Sequence, residues 1–333
     1  MSEGAIGGFW KWWQGARERV ESAVRSGAWD ELAPQINARV RAIHPDLEWE
    51  LCKGAHAEHA FCLSAKGDSE LRNVTEHWLR EGPARDDAWE FYAARQPRWS
   101  DGLTLRIDEQ DVALDELRFV LEVDRSRERV HVGVHHAAMQ AMPEQLRTTV
   151  AFLALDALLG EDGVERWVGA VSTVVAAPAD GVAPAAVRAA IDELARSATG
   201  ERFSVLEGAD AQGRPVFVTV NRALKRIDHV LVDVHVELTL TLRDPTASGL
   251  TTRTEATELD ALEDGLLALL GDRAVLVGRE TRRGQRVIHL YVDRSAETRA
   301  ELEAWRDRQL GRPVTLAMTA DPTWSRTAEL RGT

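Results

Sequence analysis

Residues 274–292 read AVLVGRETRRGQRVIHLYV, and this stretch decides the fold of the last third of the chain. Val275 and Val277 recur at every second position on one arm, Ile288, Leu290 and Val292 on the other, and Thr281-Arg282-Arg283-Gly284 turns between them. Apolar residues at period two on both arms predict a hairpin with one buried face. Before it, Leu259, Leu262, Leu266 and Leu269 line one face of a helix over about Glu255–Leu270, which Gly271 ends. Further back, Val230–Leu242 alternates as a long strand. After the hairpin, Ser295 opens a helix through Leu302 and Trp305, and Val314–Met318 makes a final strand. The succession is β-α-β-β-α-β, the order of a ferredoxin-like unit.

A similar order recurs at the amino terminus. A helix over about Phe9–Ser26 carries Trp13, Ala16, Val20 and Val24 on one face and stops at Gly27, and a second runs from Pro34 to Ile43. The alternating runs Leu47/Trp49/Leu51 and His59/Phe61/Leu63 predict a hairpin turning near Gly54. Asp68 or Ser69 then caps a helix through Leu71, Val74 and Trp78, and a strand covers Trp89–Tyr92. Phe9-Trp10-Lys11-Trp12-Trp13 is expected to pack on the rest of the fold, because the following helix mixes Arg17, Glu18, Arg19 and Glu21 and lacks a uniformly basic face.

Between these parts, Phe119, Leu121 and Val123 face Val130, Val132 and Val134 across a turn at 124–128. Pro143 opens a helix ending at Gly160, a strand is expected over Val164–Val175, and a helix over Pro184–Ala198. A hairpin over Phe203–Val220, turning at Asp210–Gly213, joins the last sheet or precedes it. The expected class is α+β, with two or three packed small units and antiparallel sheets. The boundaries are 1–100, 101–199 and 200–333, with Thr199-Gly200 as the last junction.

A chain of 333 residues with 44% apolar residues and eleven tryptophans is built to fold. Its formal charge of -13 disfavours nucleic acid, since phosphate contacts need clustered Lys and Arg. No apolar run is long enough to span a bilayer, and Met1–Gly8 lacks a signal-like apolar core, so a cytoplasmic protein with no membrane contact is expected. No phosphate loop, dinucleotide fingerprint or nucleophile elbow occurs, and no cofactor is expected.

The remaining chemistry is scattered. Cys52 and Cys62 lie on two strands of one hairpin. With Trp49 opposite Phe61, Cys52 faces Glu58, Cys62 faces Glu48, and the sulfurs fall roughly 13 Å apart, too far for a disulfide. His56, His59 and Cys62 suggest zinc, but strand alternation turns His59 away from the other two. Asp233, His235 and Glu237 share one strand face and form a candidate ladder for a divalent ion, or the wet face of an antiparallel sheet. Asp156, Glu161, Asp162 and Glu165 crowd a helix end, where carboxylates raise one another's pKa. His131 and His135 lie on one strand face as candidate bases or ligands.

The last third resembles a bacterial family known as domain-of-unknown-function family 695. The resemblance rests on Leu262-Glu263-Asp264, Val277-Gly278-Arg279-Glu280-Thr281, Gly284, His289-Leu290-Tyr291-Val292 and Asp321-Pro322-Thr323-Trp324, within about residues 200–333. Members are sometimes joined to domains similar to ribonuclease E regulator B, which implies regulation by protein contact, and the family brings no catalytic residues. The expected function is a non-catalytic protein-binding or regulatory module. The rival expectation is an enzyme or metal-dependent protein built on Asp156, Glu161, Asp162 and Glu165 with a nearby His.

Overall fold

The computed structural model describes residues 3–108 and 110–332. Two units emerge: one holds the chain up to Asp124 together with Arg129–Arg196, the other holds 125–128 and the residues from Ser197 onward. The protein is α+β, with several antiparallel sheets. Among the described residues, no helix is long and apolar enough to cross a membrane.

The first unit begins with α1 (Glu3–Ser26) and α2 (Leu32–Ile43), which pack together on a sheet formed by β1 (Glu48–Lys53), β2 (His59–Ser64) and, after α3 (Arg72–Glu81), β3 (Trp89–Tyr92). Its core is aromatic. Phe9, Trp10 and Trp13 of α1 are buried with Phe61, Trp78 and Trp89. Trp10 stacks on Trp78 with ring centroids 4.6 Å apart, and its Nε1 donates to the Trp78 carbonyl at 2.7 Å. The ring areas supply the driving force, and the indole N–H finds a partner despite burial. The Trp-rich stretch is thus a core element. Asp68 does not cap α3. Its carboxylate accepts from the Glu70 amide in the preceding turn, and the helix begins at Arg72 behind Leu71.

The pairing of β1 with β2 differs from the expected one. Trp49 lies opposite Leu63, Leu51 opposite Phe61, and Cys62 opposite Glu50. This two-residue slip brings the Cys52 and Cys62 sulfurs to 3.9 Å as free thiols, not 13 Å apart.

The rest of this unit carries β4 (Thr104–Ile107) and β5 (Gln110–Ala113), a short hairpin that the sequence pattern did not announce, and then β6 (Arg118–Asp124) and β7 (Arg129–His135). Phe119 pairs with Val134 and Leu121 with Val132, in the expected register. Helix α4 (Glu144–Leu159) follows. Residues 164–167, expected as the start of a strand, lie instead in a second helix, α5 (Glu161–Trp167), before β8 (Val168–Thr173). Gly160, at φ 72°, lets the chain break sharply out of α4, and a Cβ there would meet the Arg95 carbonyl at 2.8 Å. Val164 and Trp167, three positions apart, then pack on the core as one helical face. Helix α6 (Pro184–Ser197) completes the unit. In both halves a hairpin leads through helix to a strand parallel to the hairpin's second arm: β3 beside β2, and β8 beside β7.

The second unit is one six-stranded sheet. Its strands are β9 (Phe203–Ala209), β10 (Pro215–Asn221), β11 (Val234–Thr241), β12 (Ala274–Arg282), β13 (Gln285–Val292) and β14 (Val314–Ala320). They are joined by α7 (Arg253–Leu270) after β11 and α8 (Ala296–Asp307) after β13, with α9 (Ala328–Arg331) last. The order across the sheet is β14-β11-β13-β12-β10-β9, every pair antiparallel. The expected β-α-β-β-α-β succession is therefore present, and the β9–β10 hairpin extends the same sheet past β12. The strand foreseen from Val230 starts at Val234, after a short 3-10 turn at 226–229. Ser295 caps α8 as expected, accepting from the Thr298 amide at 3.1 Å. Val234, Val236, Leu238 and Leu240 face α7 and α8, where Leu259, Leu266 and Leu302 meet them.

Candidate functional site

A cavity of about 770 Å³ lies in the second unit, between α7, β10, β12 and the start of β9. Gly278 lets β12 approach β10 closely here, since a Cβ would sit 2.4 Å from the Thr219 carbonyl oxygen. The polar lining includes Asn221, His229, Glu263, Asp264 and Arg279, and the apolar lining Leu224, Leu267 and Val275. Glu263 takes a core position of α7, four residues after Leu259 and three before Leu266, and is only 3% exposed. Its Oε1 accepts from Arg279 Nη1 at 2.6 Å, and its Oε2 has no hydrogen-bond partner among the described residues. Burial pushes its carboxyl up in pKa, against the opposing pull of Arg279.

The opposite face of the sheet holds the expected Asp-x-His-x-Glu row, but only Glu237 is exposed. Asp233 and His235 are buried, so this face is not a wet one along its whole length. Asp233 pairs with Arg294 at 2.7 Å. His235 lies with its Nε2 3.2 Å from His289 Nδ1, and burial followed by the neighbouring His289 pushes its pKa down to about 4. The segment Asp321-Pro322-Thr323-Trp324 is bonded beside this row, with the Asp321 amide donating to the Asp233 carbonyl at 2.8 Å. Trp324 stacks on Tyr291 at 4.2 Å and donates Nε1 to the Val232 carbonyl. The Asp321 carboxylate accepts from Tyr291 Oη at 2.5 Å, from the Ser325 and Arg326 amides at 3.0 and 2.9 Å, and from Ser325 Oγ at 2.9 Å. Burial opposes its ionisation, yet these bonds hold its pKa below the usual carboxylate range. The Asp-Pro-Thr-Trp motif is a structural lock.

In the first unit the acidic residues part company. Glu161 is buried and accepts from Ser64 Oγ at 2.6 Å and from the Arg95 amide at 3.1 Å, which fixes α5 to the end of β2 and the segment after β3. Asp162 forms a two-pronged pair with Arg72, both contacts at 2.9 Å. At Glu165 it is the backbone carbonyl that accepts from Arg129. Asp156 is half-buried, and its carboxyl is pushed up to about 6 by burial and then by Glu161, with Arg95 and Arg98 opposing. His131 Nδ1 accepts from the Ala170 amide at 2.8 Å, and His135 Nδ1 donates to the Val174 carbonyl at 2.8 Å. Both histidines thus spend a ring nitrogen on strand β8 and the residue after it. Between β1 and β2, the Cys62 hydrogen bond holds the Cys52 thiol below its ordinary pKa, whereas Cys62 is pushed up by that bond and by burial.

An open apolar surface lies at the edge of the second unit's sheet. Strand β9 is an edge of the six-stranded sheet, and Phe203, Val205 and Leu206 on it are 50%, 65% and 42% exposed. Glu263 and the β9 edge were both missed in the sequence. The first had a readable signal, because a Glu at a helix-core position interrupts the stripe Leu259, Leu266, Leu270. The second had none, since Phe203 and Val205 look like ordinary alternating strand residues.

Residues 208–328 match the family described as Family of unknown function (DUF695), in the region where the sequence resembled it. No curated protein matches the chain.

Proposed function

We propose that the protein is a non-catalytic, protein-binding regulatory module that docks its partner on strand β9. The observation that carries this reading is the unpaired outer edge of β9 with Phe203, Val205 and Leu206 open to solvent. Sheets normally blunt such an edge with charge, Pro or cover, because its free N–H and C=O groups recruit another strand. An extended peptide segment with alternating apolar residues satisfies both needs: its backbone continues the sheet, and its side chains cover the exposed ones. The formal charge of -13 favours encounter with a basic partner.

The test is tandem affinity purification of the full chain from its native cells beside a Phe203→Lys/Val205→Lys double variant. Binding of the purified partner is then measured by calorimetry, and protection of β9 by hydrogen exchange. The reading expects a partner whose affinity falls at least 10-fold in the variant and which protects residues 203–209. A partner bound equally well by the variant, or with protection elsewhere, refutes it. The alternative, an acid–base or metal site in the first unit, draws on one observation, the Asp156 carboxyl pushed up to about 6. Against it, Glu161 and Asp162 are engaged in structural pairs. A stoichiometric metal in the purified protein that is lost in Asp156→Asn favours that alternative.

A further inference from the structure

From the cavity beside α7 we infer a binding site for a small organic cation, an amine or guanidine on an apolar body, with Glu263 as its anionic receptor. The inference does not rest on the docking reading, although Phe203 lines the cavity as well as the β9 edge. The cavity's volume, about 770 Å³, is that of a small-molecule site. Glu263 is buried at its wall with Oε1 satisfied by Arg279 and Oε2 unsatisfied among the described residues. A buried acceptor left unmade costs about 1–3 kcal/mol, more for a charged group, and a donor delivered into the cavity recovers that cost. Arg279 meets Glu263 through Nη1 at Oε1 and shares that nitrogen with Asp260 at 3.4 Å, which leaves Oε2 for a donor brought by a ligand.

The sign of the ligand follows from the lining. Four acidic residues, Glu201, Asp228, Glu263 and Asp264, are among those lining the cavity, against the single arginine Arg279, and burial keeps His229 toward its neutral form. An anion is repelled by that balance, and a neutral ligand leaves it uncompensated. The body of the ligand follows from Leu224, Leu267, Val275 and Leu276, which give the cavity an apolar wall. Among the described residues, no three His, Cys, Asp or Glu side chains converge as a metal would require. A single N–H-bearing cation with a hydrocarbon portion fits both features.

The test uses the full-length protein at low ionic strength with phenethylamine and agmatine as probes. Phenethyl alcohol serves as the neutral control and phenylacetate as the anionic one, all read by calorimetry and thermal shift. At least one amine is expected to bind with a Kd below about 1 mM and to raise Tm, and both controls to bind at least 10-fold more weakly. Glu263→Gln is expected to weaken the amine at least 10-fold. Absence of amine binding up to 10 mM (about the weakest affinity such a site would show), equal binding of the alcohol, or unchanged binding in Glu263→Gln overturns the inference. Should Glu263→Gln fail to fold, Leu267→Phe decides in its place, since it fills the cavity without altering a charge. Loss of amine binding in that variant supports the site, and retained binding overturns it.

Discussion

Replacing Asp321 with Ala removes the acceptor that holds the Asp-Pro-Thr-Trp segment on the sheet. Five buried or half-buried donors lose their partner: Tyr291 Oη, the Ser325 and Arg326 amides, Ser325 Oγ and Thr323 Oγ1. Hydrogen bonds to a charged group contribute about 1.5–3 kcal/mol each. The sum overshoots, because the donors share one carboxylate and recover some solvation once it is gone. A loss of about 3–5 kcal/mol in the second unit is therefore expected. Hydrogen exchange with mass spectrometry on the full chain resolves that unit from the first. Peptides covering 285–292 are expected to exchange roughly 100- to 4,000-fold faster, at about 1.4 kcal/mol per tenfold, and peptides from β1 and β2 to keep the parent rates. Tyr291→Phe in a double-mutant cycle is expected to show a coupling of about 1.5–3 kcal/mol with Asp321→Ala. The pH dependence has a fixed sign. The folded-state pKa of Asp321 is depressed, so its contribution is complete above the unfolded carboxylate pKa and is lost as pH falls through the folded value. The gap between parent and variant therefore closes in acid. An exchange change below tenfold at neutral pH, or strict additivity with Tyr291→Phe, refutes the lock.

His235 titrates near 4 in the folded protein, below its unfolded value near 6.5, so the unfolded chain binds more protons in that window. The second unit is expected to lose stability as pH falls from about 6.5 toward 4, by up to roughly 1.4 kcal/mol per pH unit, and His235→Gln to flatten that slope in urea titrations. Asp156 has a raised pKa and is partly desolvated, so its charge at pH 7 opposes folding. Asp156→Asn should raise the stability of the first unit at pH 7 by about 1 kcal/mol, with the gain vanishing below pH 4. Iodoacetamide should label Cys52 well before the buried Cys62, and Cys62→Ala should slow Cys52 labelling several-fold at pH 7 by removing the hydrogen bond to its thiolate. Peptide mass mapping reads both sites.

The six-stranded sheet was largely legible because its strands obey one rule each: an apolar face toward α7 and α8, with Gly271, Gly284 and Ser295 marking ends. The β1–β2 register was not, and the reason is geometric. A slip of one residue exchanges the faces of a strand and shows in the pattern, but a slip of two leaves every side chain on its own face. Trp49 and Leu51 point to the core under either pairing, so apolar alternation could not tell which one brings Cys52 to Cys62. Helix α5 was hidden for a related reason, since Val164 and Trp167 fit a strand until Gly160 is known to turn the chain. Asp233 meets Arg294 and His235 meets His289 and Tyr291 only once distant strands pair, which no local pattern carries. Glu263 lay in plain sight within the family motif, and only its missing partner gives it meaning.

The place of β11 between β13 and β14 governs how the second unit assembles. The β12–β13 hairpin closes over a short loop and is therefore expected to form early. Strand β11 reaches β13 only across the whole of α7 and β12, so its pairing carries more loop-closure entropy than the hairpin and is expected to come later. Until it inserts, the apolar edge of β13 stands open to other chains. Crowded or heated samples are thus expected to aggregate from this partly folded intermediate, through β13, before the native β9 edge takes any part.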